Sequence, residues 1–259
     1  MPASPSARPR RLLRRFLILL LALLLIAAAA FLVWASTPLG PEPTAGPALQ
    51  SDAEVRVDRG DWLVFWPAQS DPVAGFIFYP GGRVDYRSYA PPARAIAAAG
   101  FLVVIPRMPL NLAFTQAAAA DAIIAAYPRI QTWAIGGHSL GGAMAARYAY
   151  QQPDQVKGLA LWAAYPATTD DLTTSGLAVV SIYADQDGLA TPDKIANSQA
   201  LLPAAAQFVR IAGGNHAQFG AYGPQPGDGL PAISAAEQHA QIVAATLQLL
   251  RQLSPEPAS

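Results

Sequence analysis

The chain has 259 residues, no cysteine, and 17 basic residues against 17 acidic ones. That excludes disulfides, thiol catalysis and cysteine-ligated metal sites, and the length allows one large α/β domain plus an accessory segment. Arg8, Arg10, Arg11, Arg14 and Arg15 precede residue 16, and the first acidic residue is Glu42. The remainder therefore carries 12 basic and 17 acidic residues, about −5, a balance that argues against nucleic-acid binding.

Every residue from 16 to 34 is apolar. As a helix this run would be about 28 Å long, against a hydrocarbon core of ~30 Å. The arginines before it predict a cytoplasmic N-terminus and an extracytoplasmic body. A cleaved signal peptide competes with this reading. Val33-Trp34-Ala35 makes a poor cleavage site, however, and the run exceeds an ordinary signal core, so an uncleaved single-pass anchor in the cell membrane is expected. The predicted organisation is a basic cytoplasmic segment at 1–15, an anchor at 16–34, a Pro/Gly/Ala-rich flexible or partly extended tether at 35–53 and the main body at 54–259.

Within the body, residues 55–57 and 62–66 flank Arg59-Gly60-Asp61 and predict an edge hairpin. Gly75–Tyr79 is a continuous apolar strand that runs into Pro80-Gly81-Gly82. A helix is expected over 86–99, interrupted at Pro91-Pro92 and closed by Gly100. A strand over 101–105 and a helix over 114–127 follow. Then comes a short apolar strand from 132 to 135, the turn Gly136-Gly137-His138-Ser139-Leu140-Gly141-Gly142, and a breaker-free helical run. Further strands are expected at 156–164, Ala178–Ala184 and Gln207–Ile211, with helices at 192–202 and 234–253. Strands alternating with helices predict a doubly wound, mostly parallel α/β sheet. In such sheets the reacting groups collect on loops after the carboxyl ends of the strands.

The turn carries G-x-S-x-G at Gly137, Ser139 and Gly141. Between a strand and a helix, this pattern forces the serine into a strained backbone conformation and lifts its hydroxyl above the sheet. The Leu140 N–H at the helix start is then free to face an oxyanion. A serine hydroxyl needs an adjacent base, and the base an orienting carboxylate. Of the three histidines, His138 adjoins the serine and should point away from it, and His239 lies inside the final helix. His216, in the Gly-rich loop after the last strand, is the expected base. Asp185 and Asp187 compete for the acid; loop reach beyond Ala184 suits Asp187, with Asp185 in reserve. A second oxyanion donor is expected from Gly82, with Arg83 as the alternative. Phe219 and Tyr222, in the Gly/Pro-rich loop 218–231, are expected to wall the pocket unless that loop is an inert excursion. Asn111 and Arg83 are further candidates for its lining.

Together, "FYPGGRVDYRSYAP", "GFLVVIPRMPLNLAF", "IGGHSLGGAMAARYA", "SIYADQDGLATPDKI" and "GGNHAQFGAYGPQPGDG" resemble the α/β-hydrolases. The likeness is to compact bacterial proteins with an alpha/beta hydrolase fold-5 domain, related to dienelactone-hydrolase-like esterases, and spans about 55–253. It implies an α/β-hydrolase fold with a minimal lid. It also implies serine esterase chemistry by Ser139, Asp187 and His216, with no metal or organic cofactor. The expected partners are a small-molecule ester and, through the N-terminal helix, a membrane. Dienelactone hydrolases use a cysteine nucleophile, which this chain lacks, so their substrate does not carry over. An acyltransferase or peptidase on the same scaffold and a catalytically silent binding protein are the alternative readings.

Overall fold

The structure, a computed structural model, describes residues 8–253. Residues 1–7 of the expected basic segment and 254–259 of the expected main body lie outside the described residues.

The first unit is a single helix, α1 (Arg8–Ser36), followed by Thr37. Its stretch Leu12–Ser36 is long and apolar enough to cross a membrane. That length and composition fit either a membrane span or a signal sequence.

The second unit begins at Pro38. Within the expected tether, residues 38–50 are held on the body. Leu39 donates to the Arg83 carbonyl (2.7 Å) and accepts from Asp85 N–H (2.9 Å), while Glu42 N–H reaches the Ala221 carbonyl (2.8 Å). Two short 3-10 turns, Pro43–Ala45 and Pro47–Leu49, bury Ala45 and Leu49. A Pro/Gly-rich composition removes helical periodicity, but it does not stop a segment from satisfying its backbone on a neighbouring surface.

The body is one eight-stranded sheet in the order β1-β2-β4-β3-β5-β6-β7-β8. The strands are β1 (Val55–Arg59), β2 (Trp62–Pro67), β3 (Gly75–Tyr79), β4 (Leu102–Pro106), β5 (Trp133–His138), β6 (Gly158–Trp162), β7 (Ala178–Ala184) and β8 (Gln207–Ile211). The predicted hairpin β1–β2 forms the antiparallel edge and pairs antiparallel with β4; every pairing from β4 to β8 is parallel. The helices are α2 (Ala90–Ala98), α3 (Ala119–Ala126), α4 (Leu140–Gln151), α5 (Pro192–Ser198) and α6 (Ala235–Leu253).

Burial follows the period-2 rule for a sheet covered on both faces. Phe76, Phe78 and Trp162 pack with Ile96 of α2 and Leu249 of α6; Ile77, Tyr79 and Ile135 pack with Ile123 of α3 and Ala145 of α4. Two expected helices are shorter than their patterns. Pro91 and Pro92 do not interrupt α2 but start it, because proline is tolerated in a first turn whose N–H groups lack partners anyway. Residues 113–116 form a 3-10 turn ahead of α3. At α6, Ser234 Oγ accepts from Glu237 N–H (3.2 Å) while the Glu237 carboxylate accepts from Ser234 N–H (2.8 Å), a reciprocal cap.

Candidate active site

Ser139 stands between β5 and α4 with φ 52° and ψ −122°. A side chain at either flanking glycine would have no room. A Cβ on Gly137 would lie 2.6 Å from the Tyr79 carbonyl oxygen, and one on Gly141 2.2 Å from the same atom. The G-x-S-x-G pattern is thus a packing requirement of the turn. Strain at this end of the sheet extends beyond the serine. Arg83, Leu110, Asn111, Ser139 and Ala163 all have positive φ, and they follow β3, β4, β5 and β6. Each such residue costs on the order of 1 kcal/mol or more, strain that gathers where a fold pre-organises a site.

The loops after β7 and β8 bring Asp187 to His216. Asp187 Oδ2 accepts from His216 Nδ1 at 2.8 Å, with both side chains buried. Asp187 Oδ1 accepts from Leu189 and Ala190 N–H, each at 2.7 Å. Both carboxylate oxygens are thereby engaged. With Nδ1–H directed at Asp187, His216 keeps the lone pair on Nε2. Asp185 does different work. It pairs with Arg210 (2.8 Å) and accepts from Gly213 N–H (2.7 Å), so it ties the His216 loop to the end of β7. The Arg210 guanidinium, with the Gly213 N–H, holds the Asp185 carboxyl below the usual carboxylate range.

Ser139 and His216 share a cleft of about 210 Å³, lined also by Ala143, Ala163, Ala164, Tyr165, Leu189 and Ala190. A larger hollow of about 330 Å³ lies against the loop 215–231 and includes neither Ser139 nor His216. Of the two expected sources of an oxyanion donor, Arg83 N–H is already bonded to the Asn111 carbonyl at 2.7 Å. Among the described residues, the N–H groups of Gly82 and Leu140 have no hydrogen-bond partner, and a Cβ on Gly82 would lie 3.1 Å from Leu140 Cδ2.

His138 is turned into the core. Its Nδ1 is 2.9 Å from Tyr89 Oη, which also accepts from Gly81 N–H at 3.0 Å. Its ring lies 4.4 Å from that of His216 and stacks on Phe219. Burial, and secondarily the neighbouring His216, hold the His138 imidazole well below its ordinary value, so it is neutral. Phe219 and Tyr222 are both buried beneath this ring instead of lining the cleft, which corrects the expectation that they wall the pocket. Tyr222 Oη lies 2.9 Å from Gln225 Oε1 and 3.3 Å from the His216 carbonyl.

Tyr89 and Gln238 were not among the residues expected at the site. Gln238, buried on α6, grips the backbone of Asn215 by both groups: Oε1 accepts its N–H (3.0 Å) and Nε2 donates to its carbonyl (2.8 Å). The only sequence signal was a glutamine on the inward face of an amphipathic helix, and a buried amide must find such partners.

The comparisons with known proteins agree with this architecture. No curated protein matches the chain significantly. Among solved structures, an esterase domain from Rhodothermus marinus superposes with TM-score 0.58 at 15% identity, over 76% of this chain and 97% of that one. A CIB-like hydrolase from Thermoplasma acidophilum gives 0.58 at 14%, over 77% and 99%. A dienelactone hydrolase-like promiscuous phosphotriesterase from metagenomic libraries gives 0.56 at 16%, over 78% and 98%. At such identities the likeness is one of fold. The model of the alpha/beta hydrolase family matches residues 75–240, which include the Ser139 turn, Asp187 and His216, and the chain belongs to that family.

Proposed function

We propose that the protein is a serine hydrolase that cleaves a carboxylic ester through an acyl-enzyme intermediate, with Ser139 as nucleophile, His216 as base and Asp187 as acid. The observation that carries this reading is the buried His216–Asp187 pair at 2.8 Å opening into the same cleft as the strained Ser139. His216 Nε2 takes the Ser139 proton as the hydroxyl oxygen attacks the ester carbonyl carbon. The oxyanion is met by the N–H groups of Leu140 and Gly82, each worth roughly 3 kcal/mol when well placed. The imidazolium, stabilised by Asp187, returns the proton to the departing alcohol. Water, deprotonated by the same nitrogen, then releases the acid.

Alanines at 143, 163, 164 and 190 give the cleft a small apolar lining, which suits a short acyl chain. The esterase likeness of the structural neighbours supports a small ester as substrate. Residues 166–176, where a lid would insert, form only a short polar loop. We place α1 as a membrane anchor, with a cytoplasmic basic segment before it and the hydrolase body outside. External protease on intact spheroplasts tests that orientation: digestion of the body supports it and protection refutes it.

The test of the chemistry is covalent labelling by a fluorophosphonate followed by a panel of chromogenic esters of increasing acyl length. Labelling that disappears in Ser139→Ala, with turnover greatest for short acyl chains, is expected. Undiminished labelling of that variant would overturn the assignment. Product analysis with competing alcohols or amines separates hydrolysis from acyl transfer.

A further inference from the structure

The loop 218–231, which follows the His216 turn directly, contains Asp228, and that carboxylate reaches both catalytic loops. Its Oδ1 accepts from Gly188 N–H (3.2 Å), His216 N–H (3.1 Å) and, within its own loop, Gly229 N–H (2.8 Å). Its Oδ2 accepts from Ala217 N–H (2.8 Å). Gly188 is the residue after Asp187, and Ala217 the residue after His216. One anion therefore binds the backbone beside the acid and the backbone at the base.

A second observation comes from the packing of the loop. A Cβ on Gly229 would lie 2.0 Å from the Gln186 carbonyl oxygen, and one on Gly188 2.3 Å from the Gly227 carbonyl oxygen. The 227–229 backbone is thus pressed directly onto the acid loop, at a distance only glycine permits. Asn215 Nδ2 donates to the Gly229 carbonyl (2.9 Å) and closes the contact from the base side. Charge-assisted bonds from backbone N–H groups to a carboxylate are stronger than neutral ones.

We propose that Asp228 is a positioning residue, an anionic clamp that fixes the separation of the loops bearing Asp187 and His216 and so keeps the His216–Asp187 bond in register for proton transfer. It touches no reacting atom in this role. The inference rests on the assignment of Asp187 and His216 as acid and base.

Because Asp228 acts through the acid–base pair, its removal should matter only while that pair works. The test uses the full chain in detergent, a chromogenic acetate ester, and the variants Asp228→Ala, Asp228→Asn, Asp187→Asn and the double variant Asp228→Ala/Asp187→Asn. Asp228→Ala should lower kcat about 100-fold, the scale of a roughly 1 Å misplacement, with KM changed less than about threefold. Asp228→Asn should lose only about tenfold, since its carbonyl keeps one set of acceptors while its amide opposes Ala217 N–H. The double variant should be slower than Asp187→Asn alone by no more than about threefold, the non-additivity of groups that act as one unit.

A folded Asp228→Ala within about threefold of wild type overturns the clamp, as does a double variant showing the product of the two single losses. A merely structural role would give that product. If Asp228→Ala fails to fold, the same cycle is run with Asp228→Asn and read the same way. Wild-type turnover in Asp187→Asn would instead remove the acid assignment, and the clamp with it.

Discussion

The Ser139 turn and the His216–Asp187 pair are held in different ways. Ser139 is positioned by its own neighbours in sequence: Gly137 and Gly141 let the turn close against the Tyr79 carbonyl, and α4 starts at the next residue. The His216–Asp187 pair is positioned from elsewhere, by Gln238 on α6 gripping Asn215, by Asp185 holding Gly213, and by Leu189 and Ala190 holding the Asp187 carboxylate. The first device is steric and local. The second is a hydrogen-bond network among segments distant in the chain, so substitutions well away from the cleft can loosen it.

The most severe way to break this comparison is at the serine itself. Ser139→Ala should cost more than ~10⁵-fold in ester turnover, because without the oxygen no acyl-enzyme forms. Its melting temperature should stay close to that of the wild type, which calorimetry beside the assay would check. Asp187→Asn should follow, with a loss of about 10⁴-fold if His216 is left in the wrong tautomer, whereas Asp185→Asn should lose less than about tenfold. Steady-state kinetics of the two variants side by side decide the assignment. A large loss confined to Asp185→Asn would reverse it.

A smaller effect is expected on the supporting side. Gln238→Ala strands the Asn215 N–H and carbonyl, a change worth about 1–3 kcal/mol in stability. It should also lower kcat about tenfold and slow fluorophosphonate labelling of Ser139 in step, because both need the base that the grip holds in place. Urea unfolding together with labelling rates would separate stability from positioning. Normal labelling and turnover in a folded variant would show that the grip does not position His216.

The smallest effect is on stability against pH. His138 is held neutral well below its ordinary value, and burial pushes half-buried His239 down to about 4. The unfolded chain protonates both near pH 6.5, before the folded chain does. Stability is therefore complete above that pH and declines as pH falls toward about 4. A loss on the order of 2 kcal/mol between pH 7 and pH 4.5 is expected, read as a falling melting temperature. His239→Gln should flatten part of that slope, and an unchanged slope would remove His239 from the account.

What was legible in the sequence follows the same division. Gly75–Tyr79, Ala178–Ala184 and Gln207–Ile211 were read with their observed bounds, the first two because a strand covered on both faces is a continuous apolar run. The Ser139 turn was legible because its cause, glycine on either side of a strained residue, is written in five consecutive positions. The preference for Asp187 over Asp185 rests on loop reach; in the fold Asp187 Oδ2 lies 2.8 Å from His216 Nδ1, and Asp185 pairs with Arg210.

Tertiary structure alone decided the rest. The Pro/Gly-rich 38–50 segment has no pattern of its own and is ordered by its contacts with the body, among them hydrogen bonds to Arg83, Asp85 and Ala221 and the burial of Ala45 and Leu49. Phe219 and Tyr222 follow His216 in sequence, yet the loop folds them under His138, away from the cleft. Gln238 lies 22 residues beyond His216 and becomes meaningful only when α6 packs beneath the His216 loop. Local sterics can be read one residue at a time. A hydrogen-bond partner contributed by another loop exists only once the sheet has brought the two loops together.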